Sequence, residues 1–294
     1  MDTNETKKSL APKFSIIIPF FNSESTLKRA VDSVISQSVA DWELILVNDG
    51  SIDQSDRIAK SYLEDQRVSY FYQENKGVSA ARNLGASKAM ADWLIFLDSD
   101  DKLKKEILSV LIDSILIFPK HNYFYYVVEL ILKSGKRKIK SQKSLHKTKL
   151  AGSFTIKKQL FFEIDGYDER LRFSENTELL FRLKQKGFFA KFISYVGLEY
   201  YQSSNGGSRN LVNIKDGLLF ILKKHDSFLS RKQKFNYNQT LAVIFLRNEK
   251  FKLGRIYFLK AIMNYPFDLR VYIRFMISLF PSFSRFVYSS SSNG

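Results

Sequence analysis

Between residues 14 and 101 four apolar runs alternate with three amphipathic ones, and that rhythm leaves few folds open to the chain. FSIIIPF (14–20), ELILVND (43–49), VSYFYQ (68–73) and DWLIFLD (92–98) have the length of strands, and the first two are apolar enough to be buried on both faces. STLKRAVDSVISQS (25–38) sets Leu27, Ala30, Val31, Val34 and Ile35 on one helical face, and SIDQSDRIAKSYLED (51–65) does the same for Ile52, Ile58, Ala59 and Leu63. VSAARNLGASKAMA (78–91) is the third helix. Short crossovers that each contain a helix return the chain to the same end of a sheet, so a parallel, doubly wound α/β sheet is expected. Ligands of such sheets lie beyond the carboxyl ends of the strands. Those ends are PFFN (19–22), NDGS (48–51) and DSDD (98–101), three polar turns that the topology gathers at one edge. Each taken alone could be no more than a turn, because Asp, Asn, Gly and Ser form loops readily.

Beyond residue 101 the rhythm changes. ILSVLIDSILIF (107–118) reads as a core helix, and YFYYVVELIL (123–132) followed by Ser134-Gly135 and KRKIKSQ reads as a basic hairpin. LFFEIDGYDERL (160–171) is a turn-rich connection, and SENTELLFRLKQKG (174–187) a helix with Leu179, Leu180 and Leu183 inward and Gly187 as its stop. From about residue 211 onward the sequence is helical, aromatic and basic. The expected organisation is a flexible tail (1–13), two halves of one α/β domain (14–101 and 102–205) and a basic helical region (206–294). The net charge of +16 divides over these segments as +1, −6, +10 and +11. An acidic start and a basic remainder point to a cation or polar small molecule early in the chain and an anionic surface later.

Several chemistries are excluded by composition. With no cysteine among 294 residues there is no disulfide, thiolate zinc site, iron–sulfur cluster or cysteine nucleophile, and three histidines make a histidine-rich metal centre improbable. A bound metal would therefore be held by oxygen. The first strand is followed by PFFNSEST, which has no glycine, so the dinucleotide fingerprint is missing, and a Walker A loop is missing as well. LIFLDSDD remains. If the chain stays extended there, Asp98 and Asp100 share one side and Asp101 lies opposite. Such carboxylates suit Mg²⁺ or Mn²⁺, hard cations that keep places for water and phosphate oxygens. An aspartyl-phosphate phosphatase also opens with Asp-X-Asp, but carries it on an early strand, whereas three strand–helix units precede it here.

Taken in order, SIIIPFFNSESTL, ELILVNDGSIDQS, NKGVSAARNLG, WLIFLDSDD, GYDERL and SENTELLFRLKQKG resemble glycosyltransferase family 2, the inverting, nucleotide-sugar-dependent enzymes with a GT-A fold. The resemblance covers roughly residues 14–190. It implies a Rossmann-like, mainly parallel mixed sheet flanked by helices, with 14–101 binding the donor, 102–205 the acceptor, and 206–294 added as a helical extension. It further implies that Pro19, Phe20, Asn22 and Glu24 line the base pocket, that Asp49 bonds the base, and that Arg82 and Asn83 contact the nucleoside. Gly77 would permit a tight start to their helix. Asp98 and Ser99 would approach the ribose or sugar, and Asp100 would hold Mg²⁺ or Mn²⁺. A turn role for Asp49 and a surface role for Arg82 are the competing structural readings.

Inversion needs a base for the acceptor hydroxyl. Similar enzymes use the aspartate of a Glu-Asp pair at the start of the late helix; this chain has Glu175-Asn176, and a neutral amide does not accept a proton at neutral pH. Glu175, Glu178 one turn along, and Asp168 in the preceding loop are the candidates. Glu175 has a structural reading too, since an acid in a first helical turn is favoured by the dipole. A sugar-nucleotide-binding protein that has lost turnover is the alternative function.

In the final third, basic residues such as Arg255, Lys260, Arg270, Arg274 and Arg285 interrupt apolar stretches at helical spacing. Basic amphipathic helices of this kind lie in a membrane interface. The same residues could instead form a basic helical subdomain with its aromatics inside. The expected partners are a nucleotide-diphosphate sugar, a lipid-linked or saccharide acceptor of bacterial surface polysaccharide or glycolipid assembly, and an anionic membrane. Nucleic acid is not expected, because no recognition motif accompanies the charge. No signal peptide and no membrane-spanning run is visible, so a cytoplasmic protein, peripheral at the inner face of the membrane, is expected.

Overall fold

The structure is a computed structural model that describes residues 12–139, 150–202 and 210–288. The chain divides at residues 205/206 into two compact units. In the first, β1 (Phe14–Phe20), β2 (Trp42–Asn48), β3 (Val68–Tyr72) and β4 (Trp93–Phe96) form a parallel sheet in the order β3-β2-β1-β4. Every residue of β1 and β2 is buried, as continuous apolar strands covered on both faces require. Because side chains alternate, Ile16, Ile18, Leu44 and Leu46 meet Leu27, Ala30, Val31 and Val34 of α1 (Leu27–Ile35) on one face. Ile17, Ile45 and Val47 meet Ala81 and Ala86 of α3 (Val78–Lys88) on the other. Gly85 lets α3 approach: a Cβ there would clash with the Ile17 side chain and come 3.2 Å from Val47 Cγ2.

The sheet then continues with mixed polarity. β8 (Phe154–Lys157) pairs antiparallel with β4 and with β6 (Tyr123–Ile131); β9 (Lys191–Tyr201) runs parallel to β6; β5 (Lys102–Leu103) closes antiparallel on β9. β7 (Arg137–Ile139) forms the expected hairpin with β6. Helices α4 (Ile107–Ile117), α5 (Lys158–Glu163) and α6 (Glu175–Gln185) cover this half, with Leu179, Leu180 and Leu183 buried as their spacing implies. The architecture is a mixed α/β sheet flanked by helices, as expected.

Two sequence expectations change. The stretch 51–65 is not one helix: α2 spans only Ser55–Lys60, Ile52 is 90% exposed, and Leu63 is exposed rather than inward. Local bonds compete with the helix, because Asn48 Oδ1 takes the Ser51 amide and Asp53 Oδ1 the Ser55 amide. The connection 160–171 opens as helix α5 and becomes turns only after Glu163.

The second unit is helical: α7 (Leu211–Lys224), α8 (Arg231–Arg247), α9 (Phe251–Asn264), α10 (Leu269–Leu279) and α11 (Pro281–Tyr288). Phe235, Ala242, Leu246, Phe258, Ala261 and Val271 form its core. On α10 the apolar periodicity is turned outward. Leu269, Ile273 and Met276, with Phe280 just beyond, recur at helical spacing and are 53–76% exposed, while Ser278 is fully buried. Among the described residues no helix is long and apolar enough to cross a membrane.

Candidate active site

The turns that leave the parallel strands are tied to each other at the carboxyl edge. After β1, Asn22 adopts a positive φ of 48°, its amide donates to Ser51 Oγ, and its Oδ1 accepts from the Ile52 amide. The Ser23 amide donates to Ser55 Oγ, and the Ser23 hydroxyl lies 2.9 Å from that of Ser99 after β4. Glu24 Oε2 accepts from the Gln54 amide. Pro19 and Phe20 are buried in β1 beneath this rim. Asn22 and Glu24 therefore hold the second turn in place.

Asp49, 4% exposed, organises the third turn. Its Oδ1 accepts from Gln73 Nε2 at 2.7 Å and from the Lys76 amide at 2.9 Å, and its Oδ2 from the Gly77 amide at 3.0 Å. Gly77 takes φ +94° at the start of α3, a conformation an L side chain rarely adopts.

After β4 the chain turns instead of staying extended, and this corrects the placement of Asp101. Carboxylate oxygens of Asp98, Asp100 and Asp101 all lie within 4.8 Å of one another. Asp101 is fully buried; its Oδ1 accepts from the Tyr201 amide of β9 at 3.0 Å, and its buried Oδ2 has no hydrogen-bond partner. Burial and then the Asp98 charge raise the Asp100 carboxyl to about 6, and burial with Asp100 and Asp98 lifts Asp101 well above the carboxylate range. Arg29 donates to the Asp100 carbonyl and stacks 3.8 Å over the Tyr201 ring. Three crowded oxygen donors, one buried and orphaned, fit a hard divalent cation.

Arg82 is not a surface charge. It is 2% exposed, and its guanidinium bridges Asp98 Oδ1 at 2.5 Å and Glu175 Oε1 at 2.9 Å. Burial works against its charge, but Asp98, Tyr167 and Glu175 more than offset this and raise its pKa. The carboxyl edge of the sheet and the start of α6 are thus joined through one buried cation. Asn83 lies one residue along the same helix as Arg82: its Nδ2 donates to the Tyr167 carbonyl and Glu169, and its Oδ1 accepts from the Tyr167 amide. With both ends bonded, it clamps the 166–169 loop.

The three acids considered as bases differ sharply. Glu178 has a fully buried side chain and is gripped by Arg182, which also binds the Ile164 and Gly166 carbonyls, so it faces the loop. Asp168 is forked by Arg170 at 2.7–2.8 Å and caps its own turn. Glu175 follows Ser174, a residue at φ +66°, and has a side chain 11% exposed. Sequence reasoning overlooked Arg29, Tyr167 and Tyr201. Tyr167 lay within the quoted GYDERL, whereas Tyr201 ends a strand that had not been recognised.

A parallel sheet whose carboxyl edge carries an acidic cluster, extended by antiparallel strands and a second acidic helix start, defines a GT-A type fold. Residues 15–173 match the model of glycosyl transferase family 2, and the chain belongs to that family. An uncharacterised glycosyltransferase of Rickettsia felis is 27% identical over 297 residues, covering 90% of this chain and 48% of that protein. GlyA of Streptococcus pneumoniae is 39% identical over 105 residues, 35% of this chain and 15% of that protein. The cholesterol galactosyltransferase of Borreliella burgdorferi is 40% identical over 100 residues, 34% and 28% respectively. The chain spans less than half the length of each of these relatives. Among solved structures, S. aureus TarS 1-349 in complex with UDP-GlcNAc superposes with a TM-score of 0.62 at 17% identity, covering 93% of this chain and 87% of that one.

Proposed function

We propose that the chain is an inverting glycosyltransferase that moves a hexosyl or N-acetylhexosaminyl group from a nucleotide-diphosphate donor to an acceptor hydroxyl. The observation that carries this reading is the Asp98–Asp100–Asp101 cluster at the carboxyl edge, joined through buried Arg82 to Glu175. The Asp49 turn and the rim formed by Pro19, Phe20, Asn22, Glu24 and Gly77 would receive the nucleoside, and Asp98 and Ser99 the ribose or sugar. Asp100, with Asp98 and Asp101, would hold Mg²⁺ or Mn²⁺. When bound, such a cation neutralises charge on the departing diphosphate. Arg82 orients two carboxylates, Asp98 and Glu175.

The outward apolar stripe of α10 beside Arg270 supports a lipid-linked acceptor and contact with anionic membrane, as in assembly of surface polysaccharide or glycolipid at the inner face of the membrane. Asn176 favours a second reading, a sugar-nucleotide-binding protein without turnover. A thermal-shift screen of nucleotide sugars with and without Mn²⁺, followed by measurement of nucleotide release, tests both. A donor that stabilises the protein and is consumed supports the enzyme; tight binding with no release from any donor supports the second reading.

A further inference from the structure

Asn176 stands where a carboxylate would otherwise begin α6, and its surroundings account for the amide. It is buried, its Oδ1 lies 2.9 Å from the Tyr167 hydroxyl, and its Nδ2 lies 3.0 Å from Glu175 Oε1. This orientation is forced, since an ionised carboxylate only accepts and must face the NH2 group. Tyr167 is buried, which pushes its phenol up and keeps it a donor. Glu175 Oε1 therefore collects two donors, Arg82 and Asn176, and no hydrogen bond from a described residue reaches Oε2. A carboxylate at 176 would set two like charges about 3 Å apart, and one of them would have to take up a proton.

We infer that Glu175 is the general base, acting through Oε2, and that Asn176, itself held by the Tyr167 hydroxyl, is a positioning residue that fixes the Glu175 carboxylate against Arg82. The assignment rests on the transfer reaction proposed above. In that step Oε2 takes the proton of the acceptor hydroxyl, and the acceptor oxygen forms a bond to the anomeric carbon. The bond from that carbon to the diphosphate oxygen breaks, and its electron pair leaves with the nucleoside diphosphate. Charge is conserved: the carboxylate becomes neutral as the diphosphate gains a negative charge.

The test uses the full-length protein with Mn²⁺, UDP-GlcNAc and other UDP-sugars as donors, and water as the minimal acceptor, reading UDP release and, separately, UDP binding. Glu175→Gln should lower kcat by about 10²–10⁴-fold while UDP affinity and donor KM stay unchanged. Asn176→Asp and Asn176→Ala should each lower kcat at least tenfold with unchanged donor KM, at a temperature where both remain folded. A purely structural role for Asn176 would lower thermal stability without moving kcat, and that result would overturn the inference. So would faster turnover in Asn176→Asp, or full activity in Glu175→Gln. A wild-type protein that binds UDP yet releases none from any donor sinks the transfer reaction itself, and this assignment with it.

Discussion

The carboxyl of Asp100 is held near 6 by burial and by Asp98, above the value of about 4 for an unfolded chain. The folded, metal-free protein therefore binds that proton more tightly than the unfolded one. The Asp100 contribution to stability should rise as pH falls through about 6 and be complete near pH 4, and the Asp101 contribution moves the same way. Urea unfolding at several pH values should show Asp100→Asn flattening this rise by about 1–2 kcal/mol. An unaltered pH profile would detach the shift from Asp100. On the proposed function a cation would compete with a proton for the same oxygens, so Asp100→Ala should abolish any Mn²⁺-dependent stabilisation by UDP while leaving the circular dichroism spectrum intact. At this scale the sequence was informative about identity and weaker about direction. DSDD marked the acidic cluster, but the turn after Phe96 that swings Asp101 inward depends on the Tyr201 amide, a hundred positions away. The bonds of Asn83 were hidden for a similar reason: what its amide clamps lies in a loop 84 residues downstream.

Among the elements, α3 carries the most consequence, since Arg82 and Gly85 lie on the same short helix. Gly85→Ala should force that helix away from Ile17 and Val47 and lower stability by about 1–3 kcal/mol, read as a shift of the urea midpoint at constant slope. Displacement of Arg82 should then weaken nucleotide-sugar turnover as well; a variant as stable as the wild type would show that the contact relaxes freely. The parallel elements were legible because continuous apolar strands and amphipathic crossovers are encoded locally. β5, β8 and β9 were missed: the first has two residues, the second four, and KFISYVGLEYY is mostly half-buried, so its apolar pattern is diluted. Pairing partners far along the chain decide such strands.

For the whole molecule, charge and exposed apolar surface coincide in the second unit, whose segment 206–294 carries +11. Ile273→Glu combined with Met276→Glu should remove co-sedimentation with phosphatidylglycerol vesicles while leaving the thermal transition unchanged, because both side chains are exposed in the wild type. Raised salt should weaken wild-type binding. Retention of the double variant on vesicles would show that α10 is not the contact. The Asp101–Tyr201 bond, spanning 100 residues, has a different consequence, one of timing. During synthesis from the amino terminus, the loops after β1, β2 and β4 emerge from the ribosome well before the strand that locks the acidic corner. A nascent chain therefore cannot close the Asp98–Asp100–Asp101 corner through the Tyr201 amide until translation has passed β9.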